Sequence, residues 1–141
     1  MSIEQIRVIA LGLIKRADEK ILVEKGYNSV KQEIFYRPLG GGIEFGETGA
    51  EALQREFIEE IGKDITVTHL IDSIENIFEF EGQPGHQIML LYEASFTDPA
   101  DYGMTHFQRL DIKDTQTCWI SLTEIEQEGS MLHPWQMKKL I

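Results

Sequence analysis

The spacing of apolar and polar residues along the chain predicts several β-strands and few helices. Apolar and β-branched runs bounded by turn-forming residues are typical of strands. Strands are predicted over residues 7–16, 20–24, 34–37, 65–71, 74–80, 88–96 and 117–120. Turn-forming residues at 17–19 and 81–85 separate neighbouring runs, so we expect several antiparallel pairs in a mixed α/β chain.

One helix is predicted over residues 49–61. Thr48 and Glu51 stand three residues apart, as in a capping box, and Gly62 supplies a stop signal. Before this helix, Pro38 is expected to end a strand, and the glycines that follow it require a permissive backbone. Polar loops are expected over 26–33 and 98–104, and short helices over 122–128 and 134–141.

Three acids of the predicted helix fall on one side of it. At about 100° per residue, Glu56, Glu59 and Glu60 share an arc roughly 100° wide. The adjacent arc carries an apolar stripe made of Ala50, Leu53, Phe57 and Ile61. Like charges at this spacing repel one another, and a cation such as Mg²⁺ or Mn²⁺ would relieve the repulsion. Taken alone, such an acidic run is more often a solvated helix face, so both interpretations stay open at this point.

Composition limits the classes of function. With 141 residues, 42% of them hydrophobic, the chain is expected to form one domain over 1–141 with its own core. The formal net charge of −11 would repel a phosphate backbone, which argues against binding to long nucleic acid. The apolar run between Arg7 and Lys15 is too short to span a bilayer, and no signal peptide is expected. The lone Cys118 excludes an internal disulfide framework, and the cytoplasm is the expected compartment.

A longer pattern spans residues 41–63, which read GGIEFGETGAEALQREFIEEIGK. Its fixed positions are Gly41, Glu47, Arg55, Glu56, Glu59, Glu60 and Gly62. The pattern resembles the box of the Nudix hydrolases, G-x5-E-x7-R-E-U-x-E-E-x-G-U with U a bulky aliphatic residue, and every fixed position matches. Phe57 and Lys63 depart from it, although neither change removes a ligand. The loop before the box also differs, since Leu-Pro-Gly-Gly is common in the family and this chain has Arg37-Pro38-Leu39-Gly40-Gly41-Gly42.

The resemblance implies a fold and a metal site. The expected fold is the Nudix α/β/α sandwich, a single α/β domain with a mixed β-sheet between helices. By resemblance, Glu56, Glu59 and Glu60 bind divalent metal ions, Mg²⁺ or Mn²⁺, and a backbone carbonyl of Gly40 or Gly41 is a further ligand.

The resemblance also implies residue roles in catalysis. Glu56, Glu59 and Arg55 are the expected catalytic residues. Arg55 would orient the carboxylates, supported by a bidentate pair with Glu47 or a helix glutamate. Arg37, directly before the glycine loop, is a candidate for binding substrate phosphate, with a strand-edge arginine as the alternative.

The implied reaction is hydrolysis of the pyrophosphate bond of a nucleoside diphosphate linked to another moiety, by metal-activated water. Nudix enzymes differ in their general base, so Glu56 or Glu59 remain candidates beside the later acids Glu79, Glu81 and Glu93. No subgroup marker in the chain selects a substrate.

Two other functions are alternatives to hydrolysis. A Nudix-fold binding or regulatory module would sense a nucleotide without cleaving it, although such proteins often lose box glutamates that this chain keeps. Isomerisation of a prenyl diphosphate would need a nucleophilic thiol, for which Cys118 is a poor candidate. A homodimer is possible because family members commonly dimerise.

Overall fold

The computed structural model describes residues 4–111 and 115–141. The strands are β1 Arg7–Leu13, β2 Ile21–Asn28, β3 Glu33–Gly42, β4 Ile65–Phe80, β5 Gln83–Phe96, β6 His106–Phe107, β7 Gln116–Ile120 and β8 Met131–Leu132. The α-helices are α1 Gly49–Ile61 and α2 Leu122–Glu128, and 3₁₀ helices cover Pro99–Gly103 and Trp135–Leu140. None of the helices formed by these residues is long and apolar enough to cross a membrane.

The strands form one mixed sheet, as predicted. Their order is β4-β5-β1-β3-β2-β7-β6, and β8 joins β3 outside this path. The β1–β5 and β3–β8 pairs are parallel, whereas the remaining pairs are antiparallel. This order brings β1 and β3, which precede α1 in the chain, to the middle of the sheet.

Strand β3 does not end at Pro38, and the prediction that it does is wrong. Residues 33–38 pair with β2, whereas residues 39–42 pair with β1 on the other side. Pro38 stands where the strand changes partner, so its missing N–H falls at the end of one ladder rather than inside it. The glycines therefore belong to the strand, and Gly40 has a φ of 151° while pairing with Leu11.

Apolar side chains pack on both faces of the sheet. In β1, alternate residues point to opposite sides: Ile9, Leu11 and Leu13 join the core beneath α2 and the C-terminal 3₁₀ helix. Ala10 joins the core beneath α1, as does Ile14 just beyond the strand. Two apolar layers flanked by helices give the predicted α/β/α sandwich.

Helix α1 begins and ends where its sequence signals predict. The Thr48 hydroxyl accepts a hydrogen bond from the backbone N–H of Glu51, and the Glu51 carboxylate accepts one from the backbone N–H of Thr48, which completes the capping box. Gly62 ends the helix in the left-handed conformation, with φ 69°. The predicted apolar stripe is buried except at Ala50, and Ala52 is buried instead.

The β4–β5 hairpin is longer than predicted. One continuous strand replaces the predicted pair 65–71 and 74–80, with β-bulges between Val67 and His69 and between Leu70 and Asp72. Only Glu81 and Gly82 form the turn, and both have positive φ, as a two-residue hairpin turn requires. The residues 83–85 predicted as turn already belong to β5.

Other boundaries shift because pairing partners, rather than local composition, set them. β1 ends at Leu13 instead of residue 16, and β2 continues to Asn28, through part of the predicted 26–33 loop, because it pairs with β3. Strand β7 and helix α2 lie close to their predicted bounds. The predicted C-terminal helix is a 3₁₀ helix, and the two-residue strands β6 and β8 have no signal in the sequence.

The aromatic residue at position 57 fills the core beneath α1, so its truncation is expected to destabilise the fold. Phe57→Ala should lower the free energy of unfolding by about 3–5 kcal/mol, measured by urea denaturation. Ile58→Ala, at an exposed position of the same helix, is the control and should cost less than about 1 kcal/mol. Equal losses in the two variants would contradict this packing role.

Candidate active site

Arg55 organises the acids of α1 and of the loop before it. Its guanidinium binds Glu47 at both ends, with Nε 2.8 Å from Oε2 and Nη2 2.9 Å from Oε1. The same Glu47 carboxylate accepts a hydrogen bond from the backbone N–H of Glu44, 2.9 Å away, so it also closes the loop. These hydrogen bonds lower the pKa of Glu47 to about 2. The loop is therefore fixed to α1 through one bidentate ion pair.

The remaining donors of Arg55 hold the first two glutamates of the cluster. Nη1 lies 3.0 Å from Glu56 Oε1 and 3.3 Å from both carboxylate oxygens of Glu59. Nη2 also donates to the backbone carbonyl of Gly42, 3.0 Å away, which ties the helix to β3. Hydrogen bonds to Glu47 raise the pKa of Arg55 in spite of its partial burial, so it stays charged.

The glycine at position 41 leaves room for the Glu56 carboxylate. A Cβ atom at Gly41 would stand 2.5–2.7 Å from the carboxylate atoms of Glu56. Gly41 pairs with Ala10 in the middle of the sheet, so the backbone cannot withdraw without breaking the ladder. The absence of a side chain here is what lets α1 bring its acids against β3.

The three helix acids differ in burial. Their side chains are exposed by 17% at Glu56, 53% at Glu59 and only 5% at Glu60. Burial, opposed by the charge of Arg109, raises the pKa of Glu60 to about 8. Its Oε2 atom is buried without a hydrogen-bond partner. The charge of Glu60 is therefore only partly compensated within the described part of the chain, and a cation beside Oε2 would complete the compensation.

A buried ion-pair network faces Glu60 from the other side. Arg109 Nη1 lies 2.6 Å from Glu24 Oε2, and Arg109 Nε lies 3.0 Å from Asp111 Oδ1. Arg109 Nη2 approaches Glu60 Oε1 at 3.8 Å. Burial acts to lower the pKa of Arg109, but the hydrogen bonds to Asp111 and Glu24 outweigh it and raise the pKa.

Sequence reasoning missed Glu24 and Arg109. The two residues are 85 positions apart, and neither belongs to the pattern over 41–63. The available signal was weak: Glu24 ends a run of apolar strand residues, where an acid needs a partner once the sheet forms. Its partner depends on where the β6–β7 segment folds back.

Arg37 also joins this network. Its Nη2 lies 2.9 Å from Glu24 Oε1, while its Nε is buried without a hydrogen-bond partner among the described residues. Arg37 lines a cavity of about 410 Å³ between β2–β3 and β4–β5, termed here the inter-strand cavity. Arg37 therefore forms a structural ion pair with Glu24 and also has a donor without a partner among the described residues, so it fits both interpretations given from the sequence.

The later acids proposed as general bases lie in three different settings. The carboxylate of Glu81 accepts hydrogen bonds from the backbone N–H and the hydroxyl of Ser29. Glu93 pairs in register with Leu13, whose side chain is in the core beneath α2, so Glu93 points away from α1. Glu79 lines the inter-strand cavity. Of the three, the structure brings only Glu79 to the same cavity as Arg37.

The donor set suits a hard divalent cation. Carboxylate oxygens are the ligands that Mg²⁺ and Mn²⁺ prefer, and the unpartnered Oε2 of Glu60 is such an oxygen. Among residues 4–111 and 115–141, no three His, Cys, Asp or Glu side chains already converge on one point. Glu56 and Glu59 instead accept hydrogen bonds from Arg55, while Glu60 faces Arg109.

Cys118 does not fit a nucleophile. It lies in β7 opposite Val23 and is half-buried. Burial raises the pKa of its thiol, which disfavours the reactive thiolate. This setting argues against the isomerase interpretation.

The chain is similar to known proteins in both sequence and fold. A family model described as the NUDIX domain matches residues 5–140. The solution structure of the E. coli ORF135 protein is 24% identical over 94% of this chain and 84% of that chain, with a TM-score of 0.59. A NUDIX hydrolase from Nitrosomonas europaea is 18% identical over 89% and 78%, with a TM-score of 0.62. A MutT NUDIX hydrolase from Burkholderia pseudomallei is 24% identical over 86% and 87%, with a TM-score of 0.58. These likenesses confirm the predicted fold.

The raised pKa of Glu60 predicts a pH-dependent stability. A carboxyl group whose pKa rises from 4.5 to about 8 on folding favours the folded state below pH 4.5 and loses that contribution as the pH rises through about 8. Urea denaturation in EDTA should therefore show Glu60→Gln gaining stability over the parent chain across this window, on the scale of about 1.4 kcal/mol per pH unit. Glu75→Gln, at an exposed position of β4, is the control. A constant difference between parent and Glu60→Gln from pH 4.5 to 8.5 would refute the prediction.

Removing the charge of the buried Arg109 should lower the stability of the fold. Arg109→Met leaves Glu24 and Glu60 without it, so the free energy of unfolding near neutral pH should fall by about 3–5 kcal/mol. Lys138→Met breaks an exposed pair with Glu126 and should cost at most about 1 kcal/mol. Both are measured by urea denaturation, and similar losses would show that burial of the Arg109 network adds nothing.

Proposed function

Because the chain belongs to the Nudix family, we propose that it hydrolyses the pyrophosphate bond of a nucleoside diphosphate linked to another moiety, with Mg²⁺ or Mn²⁺ as cofactor. The family is one of hydrolases acting on phosphorus anhydrides, and its members generally use divalent metals. The observation that carries the finer proposal is the carboxylate cluster of α1. Arg55 orients two of its members, and the third, Glu60, has a buried oxygen without a partner.

In this proposal Glu56, Glu59 and Glu60 hold the metal ions, with the backbone carbonyl of Gly40 as a further ligand. When bound, the ions would polarise the attacking water and neutralise the charge that develops on the phosphate oxygens. Burial raises the pKa of Glu60 to about 8, and a cation bound at this carboxylate would favour release of its proton. Gly41 leaves the space into which the Glu56 carboxylate fits.

Arg55 and Glu47 keep the carboxylates in place during the reaction. A guanidinium held at both ends by Glu47 cannot rotate freely, so its third nitrogen presents a fixed direction to Glu56 and Glu59. Arg37 is proposed to bind a substrate phosphate, because its side chain lines the inter-strand cavity and a guanidinium can bind phosphate through two donors.

The water's proton is proposed to pass to a carboxylate oxygen of Glu56 or Glu59. Glu59 is the more exposed of the two, and its 3.3 Å contacts with Arg55 are longer than the 3.0 Å contact of Glu56. Glu93 faces the other side of the sheet, and the Glu81 carboxylate is engaged by Ser29. Glu79 remains the alternative outside α1.

The proposal treats residues 1–141 as one Nudix hydrolase domain acting on small nucleotides in the cytoplasm. A net charge of −11 disfavours long nucleic acid as a partner. The lone thiol of Cys118 suits a reducing compartment. A homodimer is the assembly proposed from the family, and sedimentation equilibrium would test it.

The test is incubation with Mg²⁺ or Mn²⁺ and a panel of nucleoside triphosphates, ADP-ribose, dinucleotides and nucleotide sugars in ¹⁸O-water, with products identified by mass. At least one anhydride should be cleaved, with ¹⁸O in a phosphate product. Glu60→Gln, which keeps the shape of the side chain, should lower turnover more than about a hundredfold, because a metal ligand matters at least as much as its outer partners.

Glu75→Gln is the matched control and should retain full activity. Absence of cleavage across the whole panel would sink the pyrophosphatase proposal. Nucleotide binding without metal-dependent turnover would instead identify a binding or regulatory module.

A further inference from the structure

Asn76 places an unused amide in the inter-strand cavity. Its side chain lies in β4, is only 6% exposed and lines the cavity. Its side-chain amide makes no hydrogen bond to another residue that the structure describes and instead borders the cavity. Asn28 lines the same cavity but differs, because its Nδ2 donates to the Glu79 carbonyl and its Oδ1 accepts from the Lys31 N–H. The Asn76 amide, which borders the cavity, is thus available to a ligand.

A second amide stands beside it. Gln87 is the cross-strand partner of Asn76 in the β4–β5 register, so both side chains lie on the same face, and both line the cavity. Each amide offers an N–H donor and a carbonyl acceptor. Together they match a ligand edge on which donors and acceptors alternate, as they do on nucleobases.

Aromatic rings form another wall of the cavity. Phe35 packs edge-to-face against Phe80 at 5.8 Å and against His133 at 5.0 Å between ring centroids. All three rings line the cavity, whose volume of about 410 Å³ is within the range of small-molecule sites. Burial lowers the pKa of His133, so this wall is uncharged at neutral pH. Such a wall suits a flat, neutral ring.

The cavity is connected to the carboxylate cluster by a chain of contacts. Arg37 lines the cavity and binds Glu24 at 2.9 Å, Glu24 binds Arg109 at 2.6 Å, and Arg109 approaches Glu60 at 3.8 Å. The carboxylates of Glu24 and Glu79 at the cavity disfavour a phosphate inside it. A ligand with its ring in the cavity would therefore direct its phosphates past Arg37 toward α1.

We propose that the inter-strand cavity binds the nucleobase of the substrate and that Asn76 reads the hydrogen-bonding edge of that base. This assignment rests on the proposed function, since it identifies the part of the substrate that lies away from the reacting phosphates. Asn76 is then a specificity-determining residue, acting on substrate choice and KM rather than on the chemical step.

The test measures binding of AMP, GMP, CMP and UMP to the full chain in EDTA by isothermal titration calorimetry. Monophosphates contain no anhydride, so the measurement does not depend on turnover. The parent chain should bind one nucleotide at least about tenfold more tightly than the others. Asn76→Ala should weaken the binding of that nucleotide by about tenfold to a hundredfold. Asn76→Asp keeps the side-chain shape but exchanges a donor for an acceptor, so it should change the order of preference.

The control is Glu75→Ala, which alters the neighbouring residue on the opposite, exposed side of β4 and should leave the preference unchanged. Ribose 5-phosphate, which lacks a base, should bind the parent and Asn76→Ala equally weakly. The assignment is overturned if the parent chain binds the four nucleotides alike or not at all, or if both Asn76 variants keep the parent's order of preference.

The two proposals fail separately. Suppose that no anhydride is cleaved, but that the parent chain prefers one base and the Asn76 variants lose this preference. The hydrolase proposal then fails and the base site stands. If hydrolysis is confirmed and the variants retain the parent's preference among cleaved substrates, the assignment of Asn76 is wrong. Thermal unfolding of each variant separates loss of recognition from loss of fold.

Discussion

Compensation of the acids on α1 by two arginines is the constraint on which the site depends. Glutamates that share one arc of a helix repel one another, and burial of one of them adds a desolvation cost. On the exposed side, Arg55 reduces this repulsion because its guanidinium pairs with Glu47, Glu56 and Glu59 at once. On the buried side, Arg109 offsets the desolvation cost of Glu60 only in part. Its guanidinium also pairs with Glu24 and Asp111, and it remains 3.8 Å from Glu60. The result is a cluster that is oriented without being neutralised.

The sheet supplies the positions that this compensation needs. Because β3 leaves β2 at Pro38 and joins β1, its last residues run through the middle of the sheet directly beneath α1. Gly41 then meets Glu56, and the Gly42 carbonyl meets Arg55. The first half of the same strand carries Phe35 and Arg37 to the inter-strand cavity. Because β3 changes its pairing partner at Pro38, this one strand contacts both the carboxylate cluster of α1 and the inter-strand cavity.

Local features of the site were predictable from sequence, and long-range ones were not. The capping box at Thr48, the stop at Gly62 and the shared arc of the three glutamates all follow from helix geometry. The family pattern added the Arg55–Glu47 pair, which the structure contains. Glu24 and Arg109 meet only once the strand order is known, and no periodicity encodes that order. The continuation of β3 past Pro38 was missed for the same reason. A strand can contain a proline where no neighbouring strand requires a hydrogen bond from that backbone nitrogen, and this depends on the strand order.

Glu60 shows why a carboxylate cluster of this kind is better explained by ligand binding than by stability. A glutamine at this position would fill the same space without a charge, and an apolar residue would suit the core beneath α1, so a stability-driven choice would favour either. The chain instead keeps an ionisable oxygen that is buried and has no hydrogen-bond partner in the part of the chain that the structure describes. When it is ionised, such a group costs stability unless a cation reaches it, which links folding stability to metal concentration through the same atom. Local rules of burial are broken most clearly at functional sites, and the Glu60 carboxylate is one place where this chain breaks them.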